Sequence, residues 1–208
     1  SIEDFCSEAN FTREQFDEWW SKQLAARVPS TGGVKTASAD VEILRDEWGI
    51  PHIYAERDTD LFFGYGYAMA QDRLWQMDYL RRKAMGRLSE VLGSSGIELD
   101  TVARTVGINR LAEAEVRRLS SETHGRLEAF SNGVNAFIAE LDDLLPIEFD
   151  LLGYEPEPWA PVDSVAVWGE FRWYLTGRLP VIVIPELANR ALDDVDLYTA
   201  FLTGEAED

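Results

Sequence analysis

Apolar residues recur along the chain at two spacings, and the change of spacing marks out the elements. Over residues 11–28 they step by three and four, placing Phe16, Trp19, Trp20 and Leu24 on or beside one face of a predicted helix. Thr12 followed three residues later by Gln15 fits a capping box at its start. Residues 29–38, Pro-Ser-Thr-Gly-Gly and then small polar residues, read as a linker. Alternation then predicts strands over 41–45 and 52–55. Residues 46–51, with Gly49 among them, supply the turn of a hairpin. From 58 to 92 the helical period returns in Tyr67, Ala70, Leu74 and Met77. Gly64 and Gly66 interrupt it, each costing about 1 kcal/mol against Ala in a helix interior, so close packing or a helix start is expected there. Two further helices are predicted over 107–119 and 123–143, the second striped by Leu127, Phe130, Val134, Phe137 and Leu141. Residues 146–161 carry Gly153, Pro156 and Pro158 and read as loop. Asp163 is placed to cap a helix running to about Thr176, Gly177 to stop it, and residues 186–202 to form a last helix before a frayed acidic tail.

That is about six helices and one hairpin, an α+β class that is predominantly helical. A lone hairpin is marginal in water. Either the domain is essentially helical, or the strands join a sheet built by another chain, for which seven Trp and 12% aromatic residues provide interface surface.

Composition narrows the function classes more than the fold. With 46% hydrophobic and 27% charged residues the chain has ordinary globular usage. Apolar runs such as 61–63 and 181–184 fall far short of the roughly 20 residues of a membrane span. The opening Ser1-Ile2-Glu3-Asp4 lacks the plan of a secretory signal, so a signal has been removed or was never there. The formal charge of −19 disfavours nucleic acid and anionic membranes as partners. Cys6 is the only cysteine, which excludes an intrachain disulfide.

Catalytic candidates are few. His52 and His124 are the only histidines and do not pair at metal-ligand spacing. His52 is expected to be a hydrogen-bonded hairpin residue and His124 a solvated loop residue. No Gly-x-Ser-x-Gly elbow or phosphate-binding loop occurs, and Gly64-Tyr65-Gly66 is too short for a dinucleotide fingerprint. Cys6 has no nearby His. Ser1 has the amine and hydroxyl of an N-terminal nucleophile, but a loosely tethered terminus leaves it read as a processing end. The residues alone point to no catalyst within this chain.

Residues 41–54 carry Arg45-Asp46-x-x-Gly49-x-Pro51-His52. Residues 61–93 carry Gly66-Tyr67-x-x-Ala70-Gln71-Asp72-Arg73-Leu74-x-Gln76-Met77. These segments resemble the α subunit of penicillin acylases, closest to the penicillin G branch. The likeness resumes at Gly153-Tyr154-Glu155-Pro156-x-Pro158-Trp159 and thins towards Leu202. Residues 1–38 fall outside it, so the chain divides into an N-terminal helix and linker (1–38) and an acylase α-chain domain (39–208).

The resemblance implies an N-terminal-nucleophile hydrolase, cut from one precursor into α and β chains and working in the periplasm or outside the cell. The catalytic Ser would open the β chain, which would also build most of a four-layer αββα core that the hairpin joins. No catalytic residue is then expected here. The α chain's share of the acyl pocket falls on Phe171, Tyr174 and Leu175, although one residue less than the family spacing after Trp159 lets Arg172 or Thr176 replace a member. Simple core packing of Phe171 and Leu175 is the competing reading. Glu186 matches an acid that helps bind Ca2+ with β-chain oxygens, against a plain helix-start glutamate. Residues 179–185 make a longer connection before it than the family has. Asp72 and Arg73 are read as buried structural residues that need partners. The implied reaction is hydrolysis of a side-chain amide of penicillin G-like substrates to a carboxylic acid and 6-aminopenicillanic acid. Another N-acyl substrate, such as an acyl-homoserine lactone or an N-acyl amino acid, or a non-catalytic interaction subunit, are the alternatives.

Overall fold

The computed structural model describes residues 12–29, 32–35, 39–141, 144–176 and 178–204. Its centre is a pair of long helices, α2 (Asp58–Met85) and α6 (Ser121–Glu140), packed side by side in the same direction, from Asp58 against Arg126 to Tyr67 against Glu140. Before them come α1 (Arg13–Arg27) and an antiparallel sheet of β1 (Gly32–Lys35), β2 (Val41–Arg45) and β3 (Pro51–Ala55). Between them lie α3 (Ser89–Leu92), a 3-10 turn (Gly93–Gly96), α4 (Ile97–Val106) and α5 (Ile108–Val116). After them follow α7 (Ile147–Leu152), α8 (Pro161–Leu175), α9 (Arg178–Ala191) and α10 (Val195–Thr203). The class is α+β, as read from the pattern.

The glycines of α2 mark its closest approach to neighbours. A Cβ on Gly66 would collide with the backbone carbonyl of Phe130, one on Gly133 with that of Phe63, and one on Gly64 with the side chains of Val41 and Ile53. Close packing, not a helix start, is why glycine stands there. Around this seam Ala70, Leu74, Met77, Val134, Phe149 and Trp159 form the main core. Each large apolar side chain removed from water there contributes about 1.5–3 kcal/mol. Val41 and Ile43 lay the sheet's inner face on Phe63, Tyr67 and Ala68. A third cluster joins Ala84 to Ile108 and Ala112 of α5 and to Val165 and Ala166 of α8.

Several boundaries differ from expectation, each for a local reason. The linker contains β1, which pairs Gly32–Lys35 with Arg45–Glu42 through backbone bonds that need no side-chain alternation, so the hairpin becomes a three-stranded sheet. Helix α2 stops at Gly86, whose φ of 69° ends it in the left-handed region, instead of reaching residue 92. Residues 93–106, unassigned from the pattern, form the 3-10 turn and α4. The buried face of α4 holds Asp100 beside Ala103, a carboxylate where the period wants an apolar side chain. Asp100 accepts the backbone N–H of Leu88 and Ser89 at 2.7 and 2.8 Å and so satisfies the chain after α2. The stretch 146–161 is not all loop, since α7 occupies 147–152 and buries Ile147 and Phe149. The single helix expected over 186–202 is two: Asp194 caps α10 by accepting from Asp196 and Leu197, while α9 reaches back to Arg178 through residues read as a connection.

Helix α1 has its capping box, with Gln15 N–H on Thr12 Oγ1 and Thr12 N–H on Gln15 Oε1. It buries no residue. It is tied to the body by Arg27, which donates to the Leu145 carbonyl at 2.6 Å and pairs with Asp150 at 2.8 Å. Ser1, Cys6, Gly177 and the tail after Gly204 lie outside the described residues.

Candidate functional site

Helix α8 is the element on which the site prediction rests, and its start is fixed from several directions. Pro161 opens it with a preset φ, and Asp163 accepts the Ala160 N–H at 2.8 Å. Asp163 therefore acts from the third helical position, with Ala160 as the flanking residue, not as the cap itself. The preceding segment is clamped to α2. Arg81 donates to the carbonyls of Pro158 and Glu157, both at 2.9 Å, and lies 3.5 Å from Asp163. Its guanidinium also stacks 5.3 Å from the Trp159 ring. Asp78, 1% exposed, accepts from Arg81 Nε and Arg82 Nε at 2.8 Å and from the Tyr154 hydroxyl at 2.9 Å. Arg82 continues to Glu90 and Glu157 at 2.8 and 3.0 Å, and Arg87 reaches Glu157 at 2.8 Å. Hydrogen bonding from Arg87 first, with the charges of Arg82, Arg87 and Arg81 added, holds the Glu157 carboxyl down at about 2. Burial pushes the Asp163 carboxyl and the Tyr154 hydroxyl up.

Beyond this clamp α8 turns one face inward, through Val165 and Ala166, and another outward. Phe171, Tyr174 and Leu175 share the outward side at i, i+3 and i+4, with 47, 50 and 63% of their surface exposed. Phe171 and Leu175 therefore do not pack into this chain's own core. Trp168 extends the aromatic face, its ring 6.2 Å from that of Phe171. Tyr174 lies under the Lys83 ammonium, 6.0 Å from ring centre, and Lys83 in turn pairs with Glu170 at 2.7 Å. Arg172 is engaged elsewhere, with Glu115 at 2.7 Å.

Glu186 lies in the ninth position of α9, so it is not a helix-start glutamate. It is exposed and pairs with Arg190 at 2.7 Å. Among the described residues no group of three or more His, Cys, Asp or Glu converges. One carboxylate already holding a guanidinium does not fit the six to eight oxygens of a Ca2+ site without outside ligands.

The motif residues take structural places. His52 lies 3.1 Å from Asp46, which also accepts the N–H of Trp48 and Ile50 and is held below the usual carboxylate range by these bonds, that from His52 first. His124 stands on α6 near Glu128 instead of in a loop. Asp72 and Arg73 are at the surface, not buried. The buried member is Arg45, which bonds Gln71 at 2.7 Å and Asp72 at 2.8 Å where α2 kinks at Arg73 (φ −145°). The clamp around Asp78 escaped the sequence reading. Its signal was Asp78 followed at i+3 and i+4 by Arg81 and Arg82 on a helix whose apolar stripe occupies the same side.

Residues 40–199 match the family model described as penicillin amidase. Over 147 residues, 69% of this chain, the sequence is 44% identical to a penicillin acylase 2 proenzyme of Pseudomonas sp. (strain SE83). It is 38% identical over 64% of its length to the penicillin G acylase of Escherichia coli. It is 37% identical over 77% of its length to the acyl-homoserine lactone acylase QuiP of Pseudomonas aeruginosa. These alignments cover 19, 16 and 19% of the relatives, so the chain spans about a fifth of their length. Among solved structures, a thermostable penicillin G acylase from Alcaligenes faecalis superposes with a TM-score of 0.63 and 28% identity. That match covers 77% of this chain and 88% of the matched one.

Proposed function

The chain belongs to the penicillin amidase family, a family of amidohydrolases, in its α-subunit region, and from that premise we propose that it forms one wall of the acyl pocket of a two-chain acylase. The observation carrying this is the outward face of α8. Phe171, Tyr174 and Leu175 are presented to the outside by a helix whose start is held by part-buried hydrogen bonds. A rigid aromatic face of this kind binds an apolar acyl group by burial and edge-to-face contact.

The nucleophile belongs to a companion β chain of the same precursor. Its N-terminal Ser attacks the acyl carbon, with the free α-amine taking the hydroxyl proton through water. Backbone and Asn donors of that chain stabilise the oxyanion, and water then releases the acid. Phenylacetyl amides such as penicillin G are the favoured substrates. Acyl-homoserine lactones are the second reading, favoured by the relative of that name at 37% identity. Glu186 would be this chain's residue to hold a Ca2+ ion, with the other oxygens supplied by the companion chain, and Arg190 would then have to release the carboxylate. The assembled enzyme is placed in the periplasm or outside the cell.

The test is to express the whole precursor, sequence the N-terminus of the companion chain, and assay phenylacetyl amides beside acyl-homoserine lactones. A companion beginning with Ser, Thr or Cys and amide hydrolysis are expected. Any other first residue ends the reading. Phe171→Ala should lower kcat/KM for the preferred acyl group about tenfold or more, the loss of most of a buried aryl contact.

A further inference from the structure

The last turns of α2 hold α8 near both of its ends. Arg81 bonds the carbonyls of Glu157 and Pro158 ahead of the first turn, and Lys83 reaches Glu170 and Tyr174 near the last. Glu170 and Tyr174 stand four residues apart, so they share a side of the helix and one ammonium serves both. That ammonium lies 2.7 Å from the Glu170 carboxylate and 6.0 Å over the centre of the Tyr174 ring. The Lys83 side chain is 27% exposed and that of Glu170 14%, so packing and pairing together hold the cation behind the ring. Tyr174 itself stays half exposed beside Phe171 and Leu175. Its ring carries a charge over one face while half its surface is open.

We propose that Lys83 is a specificity-determining residue of the acyl wall, acting through Tyr174 to favour electron-rich arylacetyl groups. The proposal rests on the acylase reading and names a substrate class within it. An aromatic ring is negative on its faces and positive at its edge. A cation over one face is attracted by that negative charge and offsets it. The opposite face then meets a substrate as a less negative surface than that of an unpaired tyrosine. Such a surface suits an aryl ring enriched by an electron-donating substituent and disfavours one stripped by an electron-withdrawing substituent. An alkyl chain has no quadrupole and is indifferent to the charge. Lys83 is therefore a positioning residue in electrostatic terms: it touches the ring, and the ring touches the acyl group.

The test is calorimetric binding of three product mimics, para-methoxyphenylacetate, phenylacetate and (para-nitrophenyl)acetate, to the processed two-chain enzyme. The methoxy acid should bind about threefold tighter than the nitro acid, a part of one exposed cation–π contact. Lys83→Met keeps the length of the side chain, removes the charge and should bring the three affinities together. Lys83→Arg replaces the cation and should restore their order. Tyr174→Phe should keep the order, because the ring carries the effect and the hydroxyl does not. Equal affinities in the unmodified enzyme overturn the proposal. So does Lys83→Met lowering all three alike with their order intact, since Lys83 then only ties α2 to α8, and so does loss of the order in Tyr174→Phe. Tyr174→Ala tests the premise separately. If it leaves the binding of all three acids unchanged, the reading of α8 as the acyl wall falls and takes this proposal with it. If it weakens all three while the unmodified enzyme shows no order, the wall stands and the role of Lys83 alone is refuted.

Discussion

The two halves of α2, on either side of the kink at Arg73, are both buried, by opposite chemistry. Before the kink, Gly64 and Gly66 let Phe130, Val41 and Ile53 come so close that no Cβ fits between. After it, Asp78, Arg81 and Arg82 place three charges inside, each at most 3% exposed and each satisfied. The first half is held by what is missing and tolerates no addition. The second is held by complete pairing and tolerates no removal. Only the second reaches out of the helix pair, through the backbone at 157–158, to the start of α8. The proposed acyl wall is therefore positioned by charge at its start as well as by the apolar packing of Trp159, Val165 and Ala166.

The sharpest way to break this comparison is to delete the centre of the charged half. Asp78→Ala leaves two buried guanidiniums and the Tyr154 hydroxyl without their acceptor, and should cost about 3–5 kcal/mol, read as a fall in the urea midpoint of the assembled protein. A loss of the size seen for surface substitutions, within about 0.5 kcal/mol, would show that the clamp is dispensable. The apolar half is tested by addition. Gly66→Ala drives a methyl into the Phe130 carbonyl and should cost about 1–3 kcal/mol or more. Gly125→Ala, on the facing helix with nothing within 4 Å of its Cβ, should stabilise by about 1 kcal/mol. Opposite signs for two Gly→Ala changes are the signature of the seam.

How much of this was legible depended on whether an element announces itself by side-chain period. Helices α2 and α6 and the β2–β3 pair were readable because their apolar residues step at 3.6 or 2, and α8 because Asp163 and Gly177 bracket it. Gly64 and Gly66 were readable as close contacts because glycine costs too much in a helix to stand there idly. Strand β1 was hidden because two of its residues are Gly32 and Gly33. Helix α4 was hidden by the buried Asp100, and the first turns of α9 by prolines that normally mark loops. Among candidate site residues, the i, i+3, i+4 spacing put Phe171, Tyr174 and Leu175 on one side of a helix. Which side is a property of packing, and only the fold revealed it as the outer one. The clamp was illegible for a related reason: a charged residue's partner at 75 residues' distance leaves no trace in local spacing.

The smallest effect expected is also the most specific to the charged half. Glu157 is held at about 2, against about 4.5 ordinarily, chiefly by Arg87. A carboxyl whose folded pKa is depressed contributes stability that is fully present above its unfolded value and is lost as pH falls towards the folded one. The window is therefore roughly pH 4.5 down to 2. Because the Glu157 side chain is 43% exposed, solvent screens its ion pairs and the contribution is modest. Glu157→Gln should lower stability slightly at neutral pH and flatten the acid limb of the stability profile within that window, leaving the slope above pH 5 unchanged. High salt should erase part of the difference between the two proteins, as it does for exposed pairs. Gly66→Ala, by contrast, should displace the whole profile downward without changing its shape, because no proton is bound or released in the seam. Parallel profiles for Gly66→Ala and converging ones for Glu157→Gln would separate packing from pairing within a single helix. If Glu157→Gln merely shifted the curve as Gly66→Ala does, the loop before α8 would be held by its backbone bonds to Arg81 and Asn135 instead.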